Sequence, residues 1–523
     1  MLKITNVKVS LNEKRYAKVI SQILNVREKE IKNVQIIKQS VDARRSKVHF
    51  ICSFIFEVDD EESFMMKHAK HHLTHYQPYV YQYPQGNDHQ VLIVGSGPAG
   101  LFCAYVLAKA YQNVVLIERG KDVDRRVQDV DDLLEKGKLD CSSNIAFGEG
   151  GAGTFSDGKL TTGIKNKRIP YVLQTFVEHG APKDILYLSK PHIGTDYLRK
   201  VIKNMREELI RLGVKVYFET HFIDYKKEND QYIVTVNQKG QTKDIICDDL
   251  VLAIGHSARD TYQMLAHHQS MKIVPKSFAV GVRIEQNQRV IDKIQYHKYA
   301  AHPSLKAASY KMAVHTQEKR GVYTFCMCPG GYVVPSMNEK GTLCINGMSE
   351  YKRDGNNANS AILVTVDPKD FKTDDPLSGI EFQRELEIKA FELGGKDYSA
   401  PVQLVSDYFE NKVSEDFQGI EATYKPSIHF ADLNELFPEY INRALKEGLV
   451  LMNKKMPGFL QEDTLIVGVE TRSSAPVRIL RNDDYHVEGE RIYPIGEGAG
   501  YAGGIVSSAI DGIMCAEAIL KEE

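Results

Sequence analysis

The 523-residue chain is 42% hydrophobic and 26% charged, with a formal net charge of −2, the balance of a soluble globular protein. Its length exceeds the ~100–200 residues of one domain, so two or three are expected. The near-neutral charge excludes a global pull toward nucleic acid or an anionic membrane, and eight scattered cysteines without C-x-x-C spacing read as reduced, cytoplasmic thiols.

In chain order, residues 1–88 read as a small N-terminal α/β domain and linker. Leu2–Val7 alternates at strand period, Tyr16–Leu24 has helical spacing, and Val48–Val58 is a β-branched and aromatic run. The first twenty residues hold no apolar signal segment. Within residues 1–50, twelve Lys and Arg against four Asp and Glu leave +8, with a cluster at Arg44-Arg45-Ser46-Lys47. This charge is compatible with a nucleic-acid-associated protein, or more simply with a basic face docked on the next domain. The acidic run from Glu57 to Glu62 offsets much of it. His68, His71, His72 and His75 follow i, i+3, i+4, i+7 spacing. With no Asp or Cys beside them they read as a solvated linker helix rather than a metal face, and Tyr76–Gly86 as linker.

Residues 89–270 change to strand–helix–strand with short connections, the pattern of a parallel sheet. Val91–Ala108 is uncharged and ~18 residues long, the length of a short membrane span, but Gly95, Gly97, Pro98 and Gly100 break it. It reads instead as a buried strand, a tight turn and a buried helix. In the turn Gly95-Ser96-Gly97-Pro98-Ala99-Gly100, Gly95 allows the bend and Gly97 lets backbone approach a pyrophosphate. Gly100 lets the helix lie on the strand. Val114–Ile117 is the next strand, and Glu118 at its end can accept both ribose hydroxyls. Three short strands around Lys215–Phe222, Tyr232–Val236 and Ile245–Cys247 suggest an antiparallel meander, and Asp249–Gly255 is another buried strand.

Residues 271–460 lack a second nucleotide motif and are expected to form an inserted, mixed α+β substrate domain. Cys326 and Cys328 lie two apart, either as an active-site thiol with its neighbour or as a buried structural pair. On a regular strand they would sit on one face, at a spacing that does not suit a disulfide. Residues 461–523 return to the first domain. Arg472 and Arg478 flank Ser473-Ser474-Ala475-Pro476, where they can clamp a substrate carboxylate or form an interdomain salt bridge. A strand over Arg491–Ile495, the turn Gly496–Gly500 and a helix from about Gly504 to Lys521 end the chain.

The ligand reads as FAD rather than NAD. Glu118-Arg119-Gly120 is a combination typical of FAD sites. A glycine-rich loop, Phe147–Lys159, lies where a long ligand needs covering, with Gly153, Ser156, Gly158 and Lys159 as contact candidates. The last strand ends in Gly496-Glu497 ahead of a helix opened by Gly503, Gly504 and Ile505. These features resemble the glutathione-reductase and hydroxybenzoate-hydroxylase superfamily, with a Rossmann-type FAD-binding domain. The resemblance implies that Gly496-Glu497 meets the ribityl chain and phosphate, with Glu497 in place of the usual aspartate. It implies that the helix after it aims its positive end at the flavin N1–C2=O edge. It also places adenine near Phe222 and makes Gly255 the return point.

The segments Phe147–Leu160, Cys326–Val334, Asn346–Ser349, Glu470–Arg478 and Gly496–Gly512 together resemble the NAD(FAD)-utilizing dehydrogenases, FAD-dependent proteins with a distinctive C-terminal region. The expected function is therefore FAD-dependent hydride transfer through flavin N5 with a small-molecule substrate. NADH or NADPH would bind only transiently, because a second dinucleotide motif is missing. Lys159, Cys326, Cys328 and Arg472 are the catalytic candidates, no metal is expected, and the alternative reaction is that of a flavin monooxygenase.

Overall fold

The computed structural model describes residues 1–45, 47–86, 88–110, 112–370 and 375–521; Ser46 of the basic cluster lies outside them. The N-terminal body is an antiparallel sheet of four strands in the order Lys32–Asp42, His49–Glu57, Leu2–Val9, Thr74–His75. Leu2, Ile4, Val7 and Val9 face its core, and a bulge between Ile4 and Val7 accounts for the break in their alternation. The helix Tyr16–Leu24 covers the sheet with Ile20 and Leu24.

The four histidines do not share one helix. The helix Glu61–Lys67 ends before them, Ala69–His71 is a tight turn, and His72 at φ 50° stops further winding. His75 lies in the edge strand, 3.2 Å from both Glu61 and Glu62. Among the described residues no cluster of His, Cys, Asp or Glu is arranged to hold a metal. The opposite edge strand, Lys32–Asp42, docks on the rest of the chain: Gln39 N–H donates to Tyr187 O at 2.7 Å, and Ser189 N–H donates to Gln39 O at 2.8 Å. Tyr81 of the linker stacks on Tyr171, with ring centroids 4.2 Å apart, and its hydroxyl donates to Glu517 at 3.0 Å.

The second body is a five-stranded parallel sheet in the order Ile492–Pro494, Asp249–Leu252, Gln90–Val94, Asn113–Ile117, Lys215–Tyr217. Side chains alternate across it. Val91, Ile93, Val114 and Leu116 pack on the helices Pro98–Lys109 and Ile505–Ile519, while Leu92, Val94, Val115 and Ile117 pack on a three-stranded meander. The meander strands are Thr220–Glu228, Gln231–Gln238 and Gln241–Cys247. The strand expected over Lys215–Phe222 is thus two strands, because Glu219 at φ 51° turns the chain out of the parallel sheet and into the meander.

The third body is a seven-stranded sheet in the order Ala313–His315, Gly321–Cys328, Asn357–Val366, Phe278–Asn287, Leu465–Glu470, Ala400–Leu404, Ile428–Phe430. Its neighbours are antiparallel except for the last pair. The helices Ser378–Leu393 and Glu439–Lys455 contribute Leu386, Ala390, Leu445 and Leu449 to its core. The boundary expected at residue 460 moves: Leu465–Glu470 is a strand of this sheet, hydrogen-bonded between Phe278–Asn287 and Ala400–Leu404. The chain crosses between the two bodies on an antiparallel ribbon, Ile273–Pro275 against Val477–Ile479. Among the described residues no helix is long and apolar enough to cross a membrane, and Pro98–Lys109 is a buried helix.

Candidate functional site

At the C-terminal edge of the parallel sheet, where strand order reverses about Gln90–Val94, a cavity of about 710 Å³ opens toward the seven-stranded sheet. Gly95 follows that strand at φ +103°, and a Cβ there would sit 2.3 Å from Ala253 O. A Cβ on Gly100 would sit 2.0 Å from Gly95 O, so this glycine seats the helix under the turn rather than lining the cavity. Gly95, Gly97, Pro98 and Ala99 do line it. The helix starting at Pro98 has Gly97 as its N-cap, and that starting at Ile505 has Gly504; in neither does a described side chain cap the first turn. Gly503, Gly504 and Ile505 line the same cavity. Two helix N-termini with uncapped N–H groups therefore face one space, an arrangement suited to the negative charge of a dinucleotide.

Glu118 lines the cavity at the end of the next strand. Its Oε2 accepts from Ser96 N and Oγ, both at 2.9 Å, and its Oε1 accepts from Gly120 N at 3.0 Å and Gly148 N at 3.1 Å. The carboxylate thus ties the nucleotide turn to the glycine-rich loop, with two donors on each oxygen. Arg119 also lines the cavity, paired with Asp260 at 3.0 Å and stacked on Phe147 at 4.3 Å from the ring centroid. Phe222 and Gly255 border the space, the latter at φ +70°. Gly496 and Glu497 do so from the last strand, with Glu497 Oε1 3.4 Å from His256 Nδ1. Asp511, invisible to motif reading, fixes this corner: Oδ2 accepts from Gly496 N at 2.7 Å, and both oxygens receive Arg481.

The glycine-rich loop and the seven-stranded sheet bring charges and thiols to the same cavity. Gly153, Ser156, Gly158 and Lys159 line it; the Ser156 hydroxyl donates to Gly153 O at 2.7 Å and accepts from Gly158 N at 3.0 Å. Lys159 Nζ is 3.0 Å from Asp157 Oδ2, and Asp157 also accepts from Arg353 and Ser349. Burial would raise the Asp157 carboxyl, but Lys159 and Arg353 outweigh it and hold the group well below the usual carboxylate range. Burial would likewise lower Lys159, yet Asp157 and the two thiols keep it a firm ammonium. Cys326 lines the cavity, and Cys328 lies fully buried behind it, 3.7 Å from Lys159 Nζ. Hydrogen bonding from Cys328 favours the Cys326 thiolate, with help from Lys159 and Arg283. The same contact holds Cys328 as a thiol. Arg283 and Arg353 carry no short-range signature, whereas Asp157 and Glu470 lie in segments that the sequence marks without singling them out as site residues.

Arg472 reaches the cavity wall, but its guanidinium is committed elsewhere. It bonds Glu387 through Nε at 2.9 Å and Nη2 at 2.7 Å, and also meets Ser257 and Asn338. Arg478 turns away to Gly500 O and the Tyr501 ring. The two arginines do not form a carboxylate clamp; Arg472 instead makes the other arrangement that its sequence allows, an interdomain salt bridge, with the buried Glu387.

The cavity, its two helix N-termini and the strand-end Glu118 define a dinucleotide site of the type that holds FAD. Residues 277–473 match the family model "FAD-dependent protein, C-terminal domain-like", residues 93–151 an NAD(P)-binding Rossmann-like domain, and residues 1–57 a domain of unknown function. An uncharacterized protein of Clostridium beijerinckii is 44% identical over 535 residues, which cover 100% of this chain and 99% of that protein. Solved structures with similarity include CmlS, a flavin-dependent halogenase, at 13% identity and a TM-score of 0.37 over 83% of this chain and 58% of that one. CtdE in complex with FAD gives 11%, 0.34, 83% and 88%, and a flavoprotein/dehydrogenase from Cytophaga hutchinsonii gives 14%, 0.33, 83% and 78%. The protein is an FAD-dependent flavoprotein of oxidoreductase type. It belongs to the family of FAD-dependent proteins that carry this C-terminal domain, with the Clostridium beijerinckii protein as a full-length relative.

Proposed function

We propose that this protein is a dehydrogenase or reductase that moves a hydride equivalent between a small-molecule substrate and FAD, with NADH or NADPH as transient partner. Bound FAD would supply a two-electron acceptor at N5. The chain's own residues would hold it. Gly97 and the N-terminus of the helix Pro98–Lys109 would take the pyrophosphate, Glu118 the adenosine ribose, and the N-terminus of the helix Ile505–Ile519 the flavin N1–C2=O edge. Glu497 and Gly496, braced by Asp511, would take the ribityl end.

The observation that carries the reading is the wall beyond that site. Lys159 and its partner Asp157 sit in the cavity together with Cys326, a cation and a thiol in a space that also holds the nucleotide turn. Lys159 can donate a proton or orient a carbonyl, and Arg353 and Ser349 keep Asp157 ionised so that Lys159 stays charged. The exposed Lys190 and Lys311 border the same cavity, where positive charge suits an anionic substrate or the phosphates of a nicotinamide dinucleotide. The eight free thiols suit a reducing cytoplasm. The basic N-terminal residues favour no nucleic-acid role: Arg15, Arg27, Lys32 and Arg44 pair with Glu28, Glu30, Asp59 and Asp42.

Anaerobic addition of NADH or NADPH to the purified yellow protein tests this. Bleaching of the flavin absorbance by either is expected. If neither bleaches it, the nicotinamide-linked reading fails, and a colourless protein that cannot be reconstituted with FAD would sink the flavin assignment.

A further inference from the structure

The strand Gly321–Cys328 runs in regular register with Asn357–Val366 as far as Phe325 opposite Ala361, and then takes one extra residue before Cys328 meets Asn359. The bulge falls at Cys326, whose φ of 42° lies in the left-handed region that favours glycine. A cysteine in place of glycine at such a bulge is an outlier that asks for a function. On a regular strand Cα atoms two apart are ~6.6 Å distant, the outer edge of what a disulfide spans. Here the bulge folds Cys328 back on its neighbour, and the Cys328 thiol lies 3.2 Å from the Cys326 carbonyl oxygen.

Two anchored cations flank the pair. Lys159 Nζ is 3.7 Å and Arg283 Nη2 3.9 Å from Cys328 Sγ, and Arg283 Nη2 also donates to Cys326 O at 2.7 Å. Lys159 is fixed by Asp157 and Arg283 by Glu470. A cationic setting that favours one thiolate, beside a protonated partner, is what thiol–disulfide chemistry requires. Cys103 and Cys515 provide an internal contrast. They lie on two helices packed against each other, Pro98–Lys109 and Ile505–Ile519, but burial raises Cys515 and neither residue lines the cavity.

Resting on the FAD reading above, we infer that Cys326 and Cys328 are a redox pair that exchanges two electrons with the flavin in the same cavity. In the oxidising direction the Cys328 S–H bond is lost and one S–S bond forms between the Cys326 thiolate and Cys328. The flavin takes the two electrons and that one proton at N5. The reverse reaction returns a thiolate, a thiol and oxidised flavin. The holoenzyme would therefore store four electrons per FAD rather than two.

Anaerobic titration of the FAD-loaded enzyme with dithionite reads this directly. Wild type is expected to take up four electrons per FAD, and Cys326→Ser and Cys328→Ser two each while remaining yellow; Cys103→Ala, the control, should keep four. A readout independent of turnover is alkylation under denaturing conditions. The air-oxidised holoenzyme should react at six of its eight cysteines, and at all eight after dithiothreitol, with the missing two mapping to the peptide that carries Cys326 and Cys328. An uptake of two electrons with all eight thiols reactive overturns the pair. If NADH bleaches the flavin and the uptake is two, the redox pair falls and the proposed function stands. If dithionite delivers four electrons while neither nicotinamide reacts, the pair stands and the nicotinamide-linked function falls.

Discussion

Glu387 receives Arg472 and Arg259 at once, each through two hydrogen bonds of 2.7–3.0 Å, at a point where neither oxygen sees solvent. Arg259 opens a helix of the parallel-sheet body, Glu387 lies on the helix Ser378–Leu393, and Arg472 follows the strand Leu465–Glu470. The triad therefore joins two bodies beside the cavity, and the Thr471 hydroxyl adds a further bond to Glu387 at 2.7 Å. Removing the acid leaves the buried Arg472 without a carboxylate and Arg259 with Glu339 alone, 3.1 Å away. Glu387→Ala is expected to cost ~3–5 kcal/mol, measured as a lower urea midpoint at unchanged slope. A loss below ~1 kcal/mol would show that the triad does not hold the bodies together.

Much of this architecture could be read from local pattern, and the failures share a cause. The strand Gln90–Val94 and its glycine turn, the helix Tyr16–Leu24 and the closing helix Ile505–Ile519 each carry their signal within a few residues. The partners that complete the site lie far apart in sequence. Glu387 is 85 residues from Arg472, and Asp157 is 196 from Arg353, so no spacing rule relates them. Backbone reversals without glycine were also hidden. Glu219, His72 and Cys326 all adopt positive φ, and each ends or bends an element that alternation alone would continue. The strand Leu465–Glu470 reads as a fully buried run with no sign of which sheet it joins; pairing with Phe278–Asn287 decides that.

Glu118 holds two segments together at the place proposed for the ribose. Glu118→Ala leaves the N–H groups of Ser96, Gly120 and Gly148 without their carboxylate. Hydrogen bonds to a charged group contribute about 1.5–3 kcal/mol, so FAD affinity should fall ~10–100-fold. Fluorescence of released FAD on dilution measures this; retention equal to wild type would remove Glu118 from the cofactor site.

Glu149 gives the fold a pH signature. Burial pushes its carboxyl up to about 7 against the opposing pull of Arg206 at 3.1 Å and Val123 N–H at 2.6 Å. From its ordinary 4.5 up to about 7 the folded chain keeps a proton that the unfolded chain has released. Stability from this group is therefore present at low pH and declines as pH rises through that window, by up to ~1.4 kcal/mol per unit. Urea midpoints at pH 5 and pH 8 should differ less in Glu149→Gln than in wild type. Equal pH slopes in the two proteins would contradict the assignment.

Lys159 acts on Cys326 through charge. The ammonium is fixed by Asp157 at 3.0 Å and favours the Cys326 thiolate, after the larger effect of the Cys328 hydrogen bond. In Lys159→Met that attraction is gone while Arg283 remains, so the thiolate becomes harder to form. Opposite charges at this range move a titration by ~1–3 units, and the pH at which iodoacetamide begins to modify Cys326 should rise accordingly. Lys159→Arg keeps the charge and should leave the profile near that of wild type. Mass spectrometry of the Cys326 peptide across pH separates this from a packing defect: a loosened cavity would speed alkylation at every pH, whereas loss of the cation moves the midpoint upward without raising the plateau.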